Sequence, residues 1–299
     1  MEKKIKRVPK IDENWWRICT MPDLGEIGQE DPLKQDVVDH GFLHLPDGKW
    51  LLWGAIRGTK IGHPIYAWEA DSLEQEHWEE KGVVLRAEKQ YGERVSDSGD
   101  ELVCAPFFIE IGGKFYCFYN SEGIHLLESE DGRNYRRVIH HNGTSRNHDG
   151  GRDPMVIKIG DKYFAYSCVT TVSANNWKKS FVIVRTSEHP VSTEPYQWSD
   201  YTIVAEGGRC GNGPVSAESP FVVEMDGYFY MFRSSSISFH TFVYRSEDPY
   251  NFGINDDSKL IAEFPLKAPE LVLHEGQWYI SDLSDFNGIK MAKMTWEEE

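Results

Sequence analysis

Three acidic residues stand at the same kind of place in this 299-residue chain. Asp39, Asp153 and Glu218 each precede a short apolar run, which leads to a glycine-containing turn and then to aromatic residues. Packing gives no reason to gather carboxylates, because mutual repulsion and burial both penalise their ionised forms. Hydrolysis of a glycosidic bond does need such groups: one carboxylic acid protonates the leaving oxygen, and one carboxylate activates water or attacks carbon. A third carboxylate can raise the pKa of the acid and orient it.

The acids belong to a stretch that the chain repeats five times. The copies begin at Asp39, Cys104, Arg152, Ala217 and Lys267. In four copies a proline precedes an aromatic residue by nine positions, and in the first copy Gly41 and Trp50 keep the same distance. Each copy has the pattern of a β-hairpin, with an apolar strand, a tight Gly or Asp-Gly turn and an aromatic-rich return strand.

The repeat predicts the fold. After most hairpins comes a third strand and a polar turn that leads to a fourth, and a period of about 50 residues with four antiparallel strands is typical of a propeller blade. We therefore expect an all-β, five-bladed β-propeller of four-stranded antiparallel blades, formed by residues 1–299 as one domain. Residues 1–35 would supply a closing strand or a lip of the pocket. A β-sandwich with coincidental turn spacing is the alternative.

A propeller would bring the acids together. The first strand of each blade runs along the central axis, so the residues that begin the five first strands meet at one end of it, which we call the mouth. These pairs are Asp39-His40, Cys104-Ala105, Arg152-Asp153, Glu218-Ser219 and Lys267-Ala268. Three of the five pairs contain a carboxylate, so the scaffold repeats while the chemical groups at the mouth differ.

The three acidic motifs resemble those of five-bladed propeller glycosidases, most closely glycoside hydrolase family 43 and the related families 32 and 117. The motifs are DHGFLHLPDGKW, RDPMVIKIGDKYF and ESPFVVEMDGYFY. The resemblance implies that Asp39 is the general base, Asp153 modulates a pKa and Glu218 is the general acid. The family usually has Asp-Pro where this chain has Asp39-His40-Gly41, so either His40 or Gly41 takes the proline position, and Asp36 is a rival for the base.

Eight further polar residues near the motifs are candidates to bind sugar hydroxyls. They are His40, Arg57, His148, Arg152, Arg209, Arg233, His240 and Lys267. For most of them an ion pair or a packed side chain is the alternative interpretation. His240 could also contact a cation in the central channel, as in some relatives. We expect no required cofactor and no catalytic metal, with a structural cation in the channel as the open alternative.

Composition excludes several other functions. The formal net charge of −16 argues against binding to nucleic acid or to anionic membranes, which requires clustered Lys and Arg. The five cysteines are scattered without a CxxC pair, which predicts buried thiols and no disulfide framework or zinc site. No apolar stretch reaches the roughly 20 residues of a membrane span. We expect a monomer, cytoplasmic as written, or periplasmic or secreted if a signal peptide has been removed.

These observations favour a glycosidase that acts on an oligosaccharide or polysaccharide from plants or algae. The resemblance implies an exo-acting or short-chain enzyme that inverts the anomeric centre, with an arabinofuranoside, xyloside or galactofuranoside as substrate. A retaining enzyme with Asp39 as nucleophile is one alternative. A propeller that binds glycan without catalysis is the other, because a fold does not by itself establish a function.

Overall fold

The computed structural model describes residues 4–172 and 176–299. Within these ranges the chain is all-β, with six sheets, four short 3₁₀ turns and no α-helix. The 3₁₀ turns are Gly25–Ile27, Pro32–Lys34, Lys89–Tyr91 and Gly208–Cys210. The expectation of an all-β protein is therefore confirmed.

Five of the sheets have four or five strands each, and we number them in chain order. Sheet 1 contains Asp36–His44, Trp50–Arg57, Ile65–Ala70 and Glu79–Leu85. Sheet 2 contains Cys104–Ile111, Lys114–Ser121, Gly123–Ser129 and Arg136–Arg137, with Arg146–His148 beside the third strand. Sheet 3 contains Arg152–Ile159, Lys162–Val172, Lys178–Ser187, Thr202–Glu206 and Gly253–Ile254. Sheet 4 contains Glu218–Met225, Tyr228–Ser235, His240–Ser246 and Leu260–Phe264.

The fifth sheet joins the two ends of the described chain. It contains Leu271–His274, Gln277–Asp282, Ile289–Glu298, Arg7–Ile11 and Trp16–Cys19. Both N-terminal strands pair antiparallel with Ile289–Glu298, so the segment before residue 35 supplies strands to the last sheet. A sixth, three-stranded sheet is formed by Gly62–His63, Arg94–Val95 and Glu101–Leu102.

Tight turns between the first two strands set the register of the hairpins. In sheet 2, Gly112 and Gly113 have φ of 63° and 81°, and in sheet 4, Asp226 and Gly227 have φ of 50° and 78°. Positive φ at both central residues is the signature of a type I′ turn, whose twist matches that of the flanking strands. The Gly-Gly and Asp-Gly pairs therefore specify these hairpins locally.

The first strand of each sheet starts with a backbone irregularity at one equivalent residue. This residue has positive φ in all five sheets: 38° at Asp39, 49° at Ala105, 54° at Asp153, 45° at Ser219 and 45° at Ala268. In sheets 1 to 4 the register with the second strand shifts at the same point. Non-glycine residues rarely adopt positive φ, and such strain concentrates at functional positions.

This equivalence corrects the alignment of the first copy. Asp39 occupies the position of Asp153, directly before the proline position, so His40 and not Gly41 takes that position. The count of nine residues to Trp50 is misleading, because the sheet 1 hairpin closes between His44 and Trp50 with five residues in the loop, whereas sheet 2 uses a two-residue turn. Gly41 is needed for a close approach instead: a Cβ there would lie 2.2 Å from the carbonyl oxygen of Pro106.

Hydrogen bonds connect the beginnings of neighbouring sheets. Sheet 2 joins sheet 1 through Cys104 and Asp39, and sheet 3 joins sheet 2 through the Asp153 amide and Asn120. The remaining bonds are those from Ser219 to Asp153, from Ala268 to Ser234, and between His40 and Ser281. These bonds link sheets 3 and 4, 4 and 5, and 5 and 1. The beginnings of all five first strands are therefore held against one another.

Candidate active site

The three acids predicted from the sequence come together where the first strands begin. Asp39 and Asp153 line a cavity of about 10 Å³, which is room for about one water molecule. Residues from the first strands of sheets 1 to 4, including Ala105 and Ser219, line this cavity together with Ala268 and Glu270 from the segment directly before sheet 5. Glu218 immediately precedes Ser219, and its carboxyl group is linked to that of Asp153 by Arg152.

Arg152 is the cation between two of the acids. Its Nε lies 3.7 Å from Asp153 Oδ2, and its Nη2 lies 3.7 Å from Glu218 Oε1. The guanidinium is held in place by hydrogen bonds to the hydroxyl of Thr170 at 2.9 Å and to the carbonyl of Ala217 at 3.2 Å. Both anchors fix the orientation of the group, so Arg152 can balance charge at the mouth without large movement.

Asp153 is fixed by hydrogen bonds to both neighbouring sheets. Its Oδ2 accepts a hydrogen bond from the amide of Ser219 at 3.1 Å, and its own amide donates to Asn120 Oδ1 at 3.2 Å. The side chain is 9% exposed. A buried carboxylate held in this way acts on its neighbours through its charge, which is what a pKa modulator must do.

The pKa of Asp39 is raised to about 7. Burial of the carboxyl group is the main cause, and the negative charge of Asp153 adds to it. A hydrogen bond from the Cys104 thiol, 3.0 Å from Oδ2, opposes the shift because it stabilises the ionised form. The charge of Glu218 raises this pKa further, and that of Lys267 lowers it.

The pKa of Glu218 is raised above its ordinary value. Burial is again the first cause, followed by the charge of Asp153. The hydroxyl of Ser236 donates to Oε2 and, together with Arg152 and Lys267, counteracts part of this increase. A raised pKa keeps a carboxyl group protonated at higher pH, which a general acid requires.

A second cation stands at the rim of the mouth. The Lys267 ammonium lies 5.1 Å from the centre of the Phe239 ring and 4.6 Å from that of Phe286. Burial lowers its pKa, while the charges of Glu218 and Asp39 raise it. The Arg57 guanidinium lies 5.5 Å from the centre of the same Phe286 ring. Arg57 also forms an ion pair with Asp36, with 2.5 Å between Nη2 and Oδ2. Asp36, the rival for the general base, is therefore paired to a cation.

Two other residues predicted to bind substrate are buried. His40 is 2% exposed beneath the mouth, where Nε2 lies 2.7 Å from Ser281 Oγ and burial lowers its pKa to about 3. Arg233 is 1% exposed, and its guanidinium donates to the carbonyls of Gly207, Gly211 and Ser216. The structure thus makes Arg233 an internal anchor of the 207–216 loop, and the sequence-based assignment to sugar binding is wrong for a side chain closed off from the mouth.

Three predicted residues do not line the central cavity. Arg209 is paired with Glu263 at 2.9 Å on an exposed loop. His240 contacts the carbonyl of Ser238 through Nδ1 at 2.9 Å and is absent from the lining of the central cavity. His148 packs against Trp198 in a different cavity between sheets 2 and 3.

Sequence reasoning also missed several residues of the site. Cys104 stands at the repeat position that holds Arg152 and Glu218 in other sheets, so the repeat carried a signal for it. Glu270 lines the central cavity, and burial together with the charges of Asp39 and Asp153 raises its pKa well above the ordinary value. Nothing in the sequence pattern distinguished Ser236, Phe239 or Phe286, which come from loops.

The fold is shared with solved glycoside hydrolases. A family 117 glycoside hydrolase from the marine bacterium Zobellia galactanivorans has 11% identity and a TM-score of 0.62, over 99% of this chain and 92% of that one. A family 43 β-xylosidase/α-arabinofuranosidase from a compost metagenome, solved with xylotriose in a calcium-free form, has 14% identity and a TM-score of 0.61, over 97% and 95%. The Cellvibrio cellulosa α-L-arabinanase with arabinohexaose has 15% identity and a TM-score of 0.58, over 86% and 90%.

At the level of fold, these likenesses confirm the resemblance to families 43 and 117. No protein-family model matches the sequence, and no curated protein matches it.

All five cysteines are buried and unpaired, as their spacing predicted. The described residues include no helix with the length and apolar character of a membrane span.

Proposed function

We propose that this protein is an inverting glycoside hydrolase built as a five-bladed β-propeller. Asp39 deprotonates the attacking water, Glu218 protonates the glycosidic oxygen, and Asp153 keeps the pKa of Glu218 high. The observation that carries the proposal is that acids from sheets 1, 3 and 4 meet at one end of the fold, with Arg152 between two of them.

The contacts between sheets support the propeller. The five hydrogen bonds described above link sheet 1 to 2, 2 to 3, 3 to 4, 4 to 5 and 5 back to 1. In each sheet the strand nearest the central cavity is the first of its hairpin; in sheets 1 to 4 the following strands lie in chain order outward, and in sheet 5 the N-terminal strands take the outer place. This arrangement is the one expected for five blades around a common axis.

The electrostatics support the division of roles. The pKa values of both Glu218 and Asp39 are raised, and we assign Glu218 as the proton donor because its side chain is 19% exposed toward the mouth. Asp39 acts as a base only when it is ionised, so activity should rise as the pH approaches and passes its pKa of about 7. Lys267 and Arg152 counter the negative charge of the Asp39 and Glu218 pair once Asp39 is ionised.

No step of this reaction requires a cofactor. Among the described residues no three His, Cys, Asp or Glu side chains are grouped to hold a metal ion. In the central cavity the additional possible ligands are Glu270 and the His40 ring, which form no such group, and His240 is not in its lining. The residues present do not fit a structural cation in the channel, and we assign it no role.

The substrate we propose is a pentose-containing oligosaccharide or a short side chain of a plant or algal polysaccharide. Two proteins of the same fold were solved with xylotriose and arabinohexaose. Lys267, Phe239 and Phe286 place a cation and two aromatic rings at the rim of the mouth, above a cavity too narrow for a chain to pass, which favours binding of a terminal sugar and exo action. The protein would act as a monomer, since its proposed site is complete within one chain.

The product anomer tests the mechanism directly. Aryl glycosides of arabinofuranose, xylose and galactofuranose identify the sugar, and proton NMR of the first product then shows its configuration. Inversion is expected. A retained product would instead make Asp39 a nucleophile, as in the alternative mechanism. Absence of hydrolysis across these glycosides and matching oligosaccharides would favour a propeller that binds glycan without catalysis.

The Cys104 thiol gives a prediction for the pH profile. Cys104→Ala removes the hydrogen bond that favours ionised Asp39, so the pKa of Asp39 rises. The acidic limb of kcat/KM against pH should therefore move to higher pH, by up to about 1 unit. Cys104→Ser keeps a donor at the same place and should stay close to the wild type. Coincident acidic limbs for the alanine variant and the wild type would show that Asp39 is not the base.

A further inference from the structure

A second cavity lies on the outside of the fold, between sheets 2 and 3. Its volume is about 420 Å³, and residues of segments 140–149 and 195–200 line it together with Arg185. Tyr196 lines both this cavity and a neighbouring one that contains Lys162 and Ser187. Ser187 pairs with Tyr163, which follows the hairpin turn at the far end of the strand Arg152–Ile159.

The cavity extends away from the three acids: His148 and Asp149 line its near end, a few residues before Arg152, and Tyr196 lies at its far end. Arg152 begins its strand at the mouth, and Ile159 ends it beside the turn. Seven steps of about 3.3 Å along a strand correspond to about 23 Å. The neighbourhood of Tyr196 is therefore too far from Glu218 to contact the same sugar unit.

Buried polar groups in the second cavity lack partners. His140 is 4% exposed and His148 is 8% exposed, and no ring nitrogen of either forms a hydrogen bond with any described residue. The backbone of Ser192 approaches the His140 ring and that of Asp149 approaches the His148 ring, without the geometry of a hydrogen bond. At least one nitrogen in each ring remains for a group from outside. Buried polar atoms without partners are rare and costly, so a ligand or water is expected there.

The charge of the cavity favours a neutral ligand. Burial lowers the pKa of His148 to about 3 and also lowers that of His140, so both rings are neutral near pH 7. A neutral imidazole offers one donor and one acceptor, which matches a hydroxyl group, whereas an anion can only accept. Two arginines in the lining, Arg146 and Arg185, are balanced by two aspartates, and Arg146 is paired with Asp149 at 3.2 Å.

The second cavity also has an exposed aromatic ring. Tyr196 is 96% exposed at the edge of the cavity. An aromatic face of this kind can cover the apolar face of a sugar ring, while the polar groups beside it bind hydroxyls. Trp198 lies deeper, with its indole nitrogen bonded to Asn147 at 2.6 Å, and therefore holds the wall of the cavity in place.

We propose that this cavity is a second binding site for a neutral oligosaccharide, with Tyr196 as the stacking surface and His140 and His148 as hydroxyl partners. The site would hold a distant part of a chain, or a second chain, while the mouth takes a terminal sugar. Its assignment does not depend on the catalytic roles proposed for Asp39 and Glu218.

Binding stoichiometry tests the second site. A Glu218→Gln protein is screened on an array of neutral and anionic glycans, and the best neutral oligosaccharide, with xylotriose and arabinohexaose as starting probes, is titrated by calorimetry. Two sites per chain are expected. In Tyr196→Ala one site should be detected when the ligand concentrations are chosen so that a second site, weakened about tenfold by the loss of stacking, stays largely unfilled. His148→Ala should have the same effect. Leu33→Ala, which removes a side chain that is 92% exposed elsewhere, should keep two sites.

The outcomes separate this proposal from the proposed function. One site in the parent and none in Tyr196→Ala would support the second site and count against saccharide binding at the mouth. Equal stoichiometry and affinity in the parent, Tyr196→Ala and His148→Ala would overturn the second site. Binding of anionic glycans alone, or no binding on the array, would overturn it as well.

Discussion

Replacement of Glu218 by alanine is expected to lower kcat on an oligosaccharide by about 10³-fold, within the range typical for loss of a general acid. The reason is that the sugar leaving group then departs without a proton. A 4-nitrophenyl glycoside needs little protonation when it leaves, so its hydrolysis should be affected much less. Steady-state kinetics on both substrates measure the difference.

Glu224 provides the matched control for this experiment. It lies on the same strand, Glu218–Met225, but its side chain is exposed. Glu224→Ala should keep wild-type kcat on both substrates. If Glu218→Ala hydrolysed the oligosaccharide at an undiminished rate, Glu218 could not be the acid, and another group at the mouth would have to take that role.

Replacement of Asp39 by asparagine is expected to lower kcat by about 10³-fold on every substrate, including 4-nitrophenyl glycosides. An amide cannot take a proton from water, and the identity of the leaving group does not compensate for this. Asp36→Asn, three residues earlier and paired with Arg57, should retain activity near the wild type. Full activity in Asp39→Asn together with loss in Asp36→Asn would move the base to Asp36.

The same Asp39 substitution should change stability in a pH-dependent way. The folded pKa of about 7 is above the ordinary value of 3.8, so the folded state resists ionisation of this carboxyl group. The contribution of Asp39 to stability therefore falls as the pH rises from about 4 to 7, and Asp39→Asn lacks this loss. The variant should be more stable at pH 8 by on the order of 2 kcal/mol, with no such gain at pH 4.

Chemical denaturation at the two pH values measures this effect. Asp36→Asn is the control, and it should show no gain at pH 8 because it loses an ion pair with Arg57. A difference between Asp39→Asn and the wild type that is the same at both pH values would mean that Asp39 ionises normally in the folded protein. The electrostatic description of the mouth would then be wrong.

Much of this arrangement was predictable because its determinants are local. Gly112-Gly113 and Asp226-Gly227 specify tight hairpins through their own backbone preferences. Alternating apolar residues and aromatics then define which strands pair and which faces are buried. Since each acid stands at the start of a repeated strand, the repeat alone was enough to predict that Asp39, Asp153 and Glu218 would converge.

The first copy shows where local patterns fail. Its five-residue hairpin loop adds length between His44 and Trp50, so counting from the aromatic placed Gly41 where His40 belongs. The backbone conformation shared by Asp39, Ala105 and Asp153 resolves the alignment, and φ angles cannot be counted in a sequence. The resulting equivalence of Asp39 and Asp153 was visible only in three dimensions.

The sequence by itself therefore determined the strands, the turns and the three acids, because each depends on residues close together in the chain. Tertiary structure decided which cations reach those acids, why the Cys104 thiol contacts Asp39, and why Arg233 lies inside the protein. It also brought His140, His148 and Tyr196 to one cavity. Burial and long-range packing set these contacts, and both depend on how separate sheets meet, which no short segment specifies.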